Sequence, residues 1–272
     1  MMPATIEATR LAHAYGRTPV LDDISFAVTE GDFFIIIGPN GSGKTTLLKL
    51  LSGIHKPAGG GVAIGGKALD VYTRKGLARK IAYVPQMIQT DFPFTVREVV
   101  LMGRSPHLGM LGLERANDLE LAEEAMGFTK IGNLAGRRLN QLSGGECQRV
   151  YIARAICQQT EIILLDEPTA SLDLAHQVRI MDLMERLRVE QGTTVVMVSH
   201  DVNLAAMYAS RVLLLKAGRM LKMGPPGDVM TYATLEEAYG CKLLVDDSPL
   251  GDFPRVTLVP ERYMHPDQPP DA

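Results

Sequence analysis

Three short stretches hold residues whose types and spacing could do chemistry. The first is Gly38-Pro39-Asn40-Gly41-Ser42-Gly43-Lys44-Thr45. Glycines let a backbone wrap a phosphate without Cβ collisions, so several N–H groups can converge on it. The pattern G-x-x-x-x-G-K-[ST] assigns Lys44 to the β- and γ-phosphates of a nucleotide and the Thr45 hydroxyl to Mg²⁺. The second stretch is Asp166-Glu167, which closes the apolar run Ile162-Ile163-Leu164-Leu165. Successive strand residues point to opposite faces, so two adjacent carboxylates can serve one site only at the strand's end. There Asp166 suits Mg²⁺ through its water shell, and Glu167 suits a base for an attacking water. Taken alone, a solvated Asp-Glu before Pro168 would look the same. The third stretch is Leu142-Ser143-Gly144-Gly145-Glu146. A serine and two glycines at a helix start offer free N–H groups, a hydroxyl and a positive dipole end to an anion. An ordinary capped helix carries the same residues.

The elements around these stretches are those that would position them. Phe33-Phe34-Ile35-Ile36-Ile37 reads as a buried strand before the glycine-rich loop, and a helix follows from Lys44 until Gly53. Residues 3–30 alternate in short pieces and predict antiparallel strands around Ile6–Thr9 and Ile24–Val28, with a turn at 15–19. Residues 57–61 read as a loop, and Gly65-Gly66 predicts a hairpin after Val62-Ala63-Ile64. A short helix is expected over 74–80 and a strand over Ile81–Val84, stopped by Pro85. Helical spacing at 96–101 and 119–127 predicts a helical insertion over 87–147. Strands are expected at 162–165 and 193–198, an amphipathic helix at 174–188, and a helix capped by Asp201. A hairpin at 212–222 and a helix at 235–239 follow. Strands alternating with helices predict an α/β fold with a mostly parallel sheet, and the phosphate loop then lies at the carboxyl ends of the strands.

Composition narrows the class. The chain has 272 residues, 46% of them hydrophobic, enough for a large core. A net charge of −3 argues against a nucleic-acid-binding face. No apolar run reaches the length of a membrane span, residues 1–10 carry no signal core, and a cytosolic chain is expected. Cys147, Cys157 and Cys241 have no pairing spacing and read as reduced thiols. His13, His55, His107, His176 and His265 show no metal-ligand spacing and read as surface or packing residues. Met102, Met110, Met181 and Met184 read as core and interface fillers.

Together and in this order, the phosphate loop, Gln86 after a short strand, the stretch 142–146, Asp166-Glu167, Ser171-Leu172-Asp173 and His200 resemble the ATPase subunit of an ABC transporter. The match spans about residues 5–225. The resemblance implies a P-loop NTPase core (1–86 and 148–227), an N-terminal antiparallel β subdomain and an inserted helical subdomain (87–147). Residues 228–272 would be a C-terminal extension with a Pro-rich, disordered end over 265–272. It implies ATP and Mg²⁺, with Gly38, Pro39, Asn40, Gly41, Ser42, Gly43, Lys44, Thr45 and Thr46 on the nucleotide. Tyr15 would stack on adenine. Thr45, Gln86 and Asp166 would serve the metal, and Gln86, Glu167 and His200 the hydrolysis. Leu142, Ser143, Gly144, Gly145 and Glu146 would take the ATP of a second copy, and Ser171, Leu172 and Asp173 would cross the dimer interface. Glu146 stands where glutamine is frequent, and Cys147 where a long polar side chain is usual.

Residues 95–107 and the tail over 229–259 resemble the importer branch for ferric siderophores, haem or cobalamin. That likeness implies a permease partner contacted through the helical insertion, a substrate-binding protein acting indirectly, and a place on the cytoplasmic face of the inner membrane. The apolar residues of 96–102 fit a docking surface better than a solvent-facing helix. Three other classes share the loop: a soluble ABC ATPase of repair or translation, a small-molecule kinase, and a GTP switch. The chain lacks the second cassette or coiled coil typical of the first and the N-K-x-D sequence of the third. In a kinase, Ser143-Gly144-Gly145 would have no task.

Overall fold

The computed structural model describes residues 4–87, 93–109, 112–170 and 172–263. The chain opens with β1 (Ala4–Tyr15) and β2 (Thr18–Thr29), paired antiparallel. The strands run so close that Gly16-Arg17 makes the whole turn, narrower than the five-residue turn expected. Next come β3 (Phe33–Ile37) and α1 (Lys44–Leu51). Strand β4 (Gly59–Ile64) adds to β1 and folds over Gly65-Gly66 onto β5 (Lys67–Ala68). Pairing with β1 thus claims Gly59 to Gly61, which the sequence reads as loop. Helix α2 (Arg74–Ala78), capped by the Thr73 hydroxyl, leads into β6 (Ile81–Val84).

Three helices follow: α3 (Val96–Leu101), α4 (Ala116–Phe128) and α5 (Gly144–Cys157). The chain then alternates β7 (Ile162–Asp166), α6 (Leu174–Gln191), β8 (Thr194–Val198), α7 (Val202–Tyr208) and β9 (Arg211–Lys216). It closes with β10 (Arg219–Gly224), α8 (Pro226–Val229), α9 (Tyr232–Tyr239) and a hairpin of β11 (Leu243–Asp247) and β12 (Pro254–Leu258).

The central sheet has the order β10-β9-β3-β8-β7-β6, and every neighbouring pair but β10–β9 is parallel. A second, antiparallel sheet has the order β2-β1-β4-β5. The side-chain period of two divides β3 between two cores. Phe34 and Ile36 face the antiparallel sheet and α1, meeting Ile6, Leu11, Ile24, Leu47 and Leu48. Phe33, Ile35 and Ile37 face the other way, against Met181, Met184, Ala205 and Leu235. The central residues of β3, β7, β8 and β9 are therefore apolar and buried on both faces.

A third core belongs to the helical insertion. Val96, Val99 and Val100 of α3 pack on Ala122, Ala125 and Met126 of α4 and on Val150, Ala153 and Cys157 of α5. This corrects the reading of 96–102 as a docking surface. The apolar residues of α3 are spent on the insertion's own core, and Met102, 39% exposed, is the one left at the surface. Helix α5 belongs to both sides, because its Ile152 and Ala155 face the central core. The Arg104 guanidinium locks the arrangement, donating to Asp118 Oδ1 (2.9 Å) and to the Cys157 carbonyl (2.9 Å) while both charged side chains are buried. Breaking such a pair by removing one partner costs about 3–5 kcal/mol.

The tail after residue 227 shares the main core. Val229, Met230, Leu235, Ala238, Leu243 and Val256 are buried on the same face as β3. Asn203 fixes the final hairpin by a reciprocal pair, donating to the Val256 carbonyl (3.0 Å) and accepting from its N–H (2.8 Å). The Pro-rich end over 265–272, with His265, lies outside the described residues, as do Met110 and Ser171. Among the described residues no helix is long and apolar enough to cross a membrane.

Candidate functional site

The glycine-rich loop leaves β3 and enters α1 under tight constraint. Gly38 has φ 148° and Gly43 has φ 99°. A Cβ at Gly38 would stand 2.2 Å from the Leu215 carbonyl oxygen, and one at Gly43 would stand 2.6 Å from Leu21 Cδ2. Strands β9 and β2 thus press on the loop from behind, and only glycine fits there. Gly43 caps α1 without a side-chain hydrogen bond, so the first N–H groups of the helix stay open toward the loop. The Ser42 hydroxyl is buried with no partner among the described residues. The Lys44 ammonium is held by the carbonyl oxygens of Gly38 (2.9 Å) and Pro39 (3.1 Å). Burial lowers its pKa, and the Glu167 and Asp166 carboxylates pull it back up.

The two carboxylates reach the loop because β7 stops at Asp166. Glu167 has φ 50°, a left-handed conformation that is costly for a side chain with a Cβ. The strand's alternation is broken there, and both carboxylates turn toward the phosphate loop. Asp166 Oδ1 accepts from the Thr45 hydroxyl (2.9 Å) and Oδ2 from the Tyr83 hydroxyl (3.1 Å). Glu167 accepts from Gln86 Nε2 (2.5 Å) and pairs with His200 Nε2. Its side chain is 8% exposed, against 44% for His200. Gln86 follows β6, Glu167 follows β7 and His200 follows β8, so three adjacent strands deliver three groups to one place. Lys44, Thr45, Thr46, Gln86, Glu167 and His200 line a single cleft, with Val20 on its wall.

The residues fit both a triphosphate and Mg²⁺. The open N–H groups, the unpartnered Ser42 hydroxyl and Lys44 suit phosphate oxygens. The Thr45 hydroxyl and the Asp166 carboxylate, already within hydrogen-bond distance, form a hard oxygen pair of the kind Mg²⁺ takes. No cluster of three His, Cys, Asp or Glu that could hold a metal occurs among the described residues.

The stretch 142–146 is not part of this cleft. Ser143 caps α5 in a capping box: its N–H donates to Glu146 Oε2 (2.8 Å), and its hydroxyl accepts from the Glu146 N–H (3.4 Å). The Ser143 N–H and hydroxyl hold the Glu146 carboxyl below its usual range. Gly144 is exposed, and Gly145 is buried against the His176 ring, where a Cβ would stand 2.9 Å from Cδ2. Cys147, in place of a long polar residue, is buried, and its thiol contacts the Leu139 carbonyl at 3.5 Å. Asp173 caps α6 through the His176 N–H (2.8 Å) and also holds His176 Nδ1 (2.8 Å). Leu172 packs beside the main core.

Three features escape the sequence reading. Tyr83 orients Asp166, and burial followed by the Asp166 charge raises its phenol pKa. A tyrosine two residues before Pro85 gives no such signal. His176 links the cap of α6 to Gly145, so it is more than a surface residue; its place three residues after Asp173 is the clue. His13 and His55 pack on Tyr15, at ring-centroid distances of 5.0 and 5.7 Å. His13 shares the Tyr15 face of β1, as a spacing of two dictates. The Tyr15 hydroxyl lies 3.5 Å from Thr46 Oγ1, beside the cleft.

The family model described as ABC transporter matches residues 21–170. The ferric enterobactin transport ATP-binding protein of Escherichia coli (strain K12) is 38% identical over 253 residues, 93% of each chain. The solved structure of an inward-facing metal-chelate type ABC transporter is similar over 96% of this chain and 100% of its own, at 30% identity and a TM-score of 0.85. A bacterial ABC transporter cassette solved as a dimer is similar over 81% of this chain and 98% of its own, at 32% identity and a TM-score of 0.71. The chain therefore belongs to the ABC transporter family, as an ATP-hydrolysing, ATP-binding subunit.

Proposed function

We propose that two copies of this chain enclose two ATP·Mg²⁺ between them and drive a permease that imports an iron complex, siderophore or haem, or cobalamin. One observation carries the reading. The cleft that gathers Lys44, Thr45, Gln86, Glu167 and His200 has no contribution from Ser143 to Glu146, which offer a second anion-binding helix end elsewhere on the surface. A second copy facing the first would bring that helix end onto the phosphates. Asp173, with Ser171 and Leu172, would lie along the same interface.

Within one copy, the loop N–H groups and Lys44 hold the phosphates, Thr46 touches the nucleotide from the same cleft, and Tyr15 stacks on its base. Mg²⁺ held by Thr45 and Asp166, and approached by Gln86, would neutralise the charge that grows on the phosphate oxygens. Glu167 takes the proton of the attacking water, and His200 fixes the direction of its carboxylate. Gln86 donates to the same carboxylate from the edge of the helical insertion, so a movement of the insertion reaches the base directly. The exposed apolar residues Phe94, Met102 and Leu119 on the insertion suit a permease contact. That contact would place the chain on the cytoplasmic face of the membrane. The similarity to an enterobactin transport subunit and to a metal-chelate transporter supports the iron-complex branch.

The test is size exclusion of the Glu167→Gln chain with ATP and Mg²⁺. The expected result is a dimer that dissociates when nucleotide is removed. Ser143→Arg in the same background should bind ATP as a monomer and fail to dimerise. A Ser143→Arg chain that lost ATP binding as a monomer would overturn the two-copy site. Co-purification with a multi-span membrane protein and its binding protein would identify the cargo.

A further inference from the structure

Beside the phosphate loop stands a group of aromatic rings that the hydrolysis does not use. His13, Tyr15 and His55 form a near-equilateral triangle, with centroid distances of 5.0, 5.7 and 5.6 Å. The two imidazoles are nearly parallel, at 17°, and each stands almost perpendicular to the tyrosine, at 85° and 82°. Edge-to-face contacts of this kind are directional, so together they hold a ring plane that one contact would leave free to turn. The triangle is anchored at two further points. His13 Nδ1 donates to the Lys56 carbonyl (3.1 Å), and Nε2 is buried and without a hydrogen-bond partner among the described residues. The Tyr15 hydroxyl lies 3.5 Å from Thr46 Oγ1 at the start of α1. Tyr15 itself stays 48% exposed.

We propose that His13 and His55 are positioning residues for the nucleobase: their stack holds the Tyr15 ring at the angle at which it takes the face of a purine. The proposal rests on the nucleotide-site reading above. It adds that base affinity depends on two residues that touch neither phosphate nor the hydrolytic groups. It also adds a pH dependence. The charged and titratable groups facing His55 are Lys49 of α1 and His13 and Tyr15 of β1, and a proton on His55 would put a second cation beside the Lys49 ammonium. Burial first, then Lys49 and His13, hold the His55 imidazole below its usual pKa, so at neutral pH His55 is uncharged. The sign follows. The ordered triangle is fully present above the ordinary imidazole range and is lost as the pH falls toward the lowered value.

The chain has no tryptophan, so Tyr15→Trp makes a single reporter at the base position. Its fluorescence should change on adding ATP and stay unchanged on adding tripolyphosphate, which offers the phosphates without a base. In the otherwise native chain, His55→Ala should weaken ATP about 3- to 10-fold, the scale of aromatic pair contacts, and leave tripolyphosphate affinity unchanged. His55→Phe, which keeps a ring and removes the titration, should restore ATP affinity at neutral pH. Between about pH 7.5 and about pH 5.5 the native chain should lose more ATP affinity than His55→Phe does, while their tripolyphosphate affinities run parallel. Equal losses for ATP and tripolyphosphate in His55→Ala would reduce the histidine to a support of the loop and overturn the proposal. An ATP affinity that His55→Ala leaves unchanged would do the same. A native chain that bound neither ligand would bring down the nucleotide-site reading itself, and this proposal with it.

Discussion

The cleft at the end of the parallel sheet and the start of α5, the two anion sites of the proposed reading, are built in opposite ways. The cleft draws on four strands and one helix, and its groups are cross-bonded: Thr45 and Tyr83 to Asp166, Gln86 and His200 to Glu167. Its carboxylates are almost fully buried and its backbone is strained at Glu167. The start of α5 draws on one helix and satisfies itself, since Ser143 and Glu146 bond each other. It has hydrogen-bond donors but no base and no sensor. On the two-copy reading proposed above, the catalytic work would be confined to one wall, and the other would contribute only shape and donors. A small, self-contained motif can be carried on a single helix away from the cleft, here one rooted in both the central core and the insertion. A cross-bonded site cannot be divided in that way.

Four substitutions sharpen or break this contrast, in falling order of effect. Glu167→Gln should slow ATP turnover about 10²- to 10⁴-fold while ATP still binds, measured by phosphate release. Unchanged turnover would remove the base from this wall. Lys44→Ala should weaken ATP about 10- to 100-fold, the worth of a charge-assisted bond to phosphate, as read by equilibrium binding. An unaltered affinity would mean the loop N–H groups suffice. Tyr83→Phe deletes one bond to Asp166 and should raise the Mg²⁺ concentration for half-maximal turnover about 2- to 10-fold, without changing nucleotide affinity at saturating Mg²⁺. If the Mg²⁺ titration did not move, Tyr83 would be packing alone.

The smallest effect falls on the self-contained motif. Ser143 holds the Glu146 carboxyl below its usual range. A depressed carboxylate contributes stability that is present above the unfolded value and lost as the pH falls through the folded value. Thermal melts of the native chain should therefore lose part of their midpoint on the acid side of about pH 4.5, and Glu146→Gln, which keeps the box without the charge, should flatten that part. An acid limb identical in the two chains would show that the carboxylate charge contributes nothing to the cap.

The contrast also explains which features were legible in the sequence. The glycine-rich loop, the Asp166-Glu167 strand end and the Ser143 cap are local, because each depends on residues within a few positions of one another. Their strand and helix context follows from continuous apolar runs and from caps. The helical insertion was legible as an element, but the destination of its apolar residues was not. Spacing says that Val96, Val99 and Val100 share a face, and only packing says that the face meets α4 and α5 and not a partner. In the same way the tail reads as an appendage, while Leu235, Leu243 and Val256 close the main core.

By itself, then, the sequence determined the order of motifs, the α/β class and the chemistry each motif can do, because hydrogen-bond donors, carboxylates and φ-permissive glycines are properties of residues and their near neighbours. The tertiary structure decided which of those groups meet. Gln86, Glu167 and His200 are separated by 81 and 33 positions in the chain, yet parallel pairing of β6, β7 and β8 sets them side by side. It decided that both carboxylates of Asp166-Glu167 face the loop, through a left-handed residue that no propensity calls for. It set His13 and His55 on Tyr15, and it left Ser143 to Glu146 outside the cleft. Contacts between distant segments are fixed by sheet register and by the burial of shared faces, and neither is written at any single position.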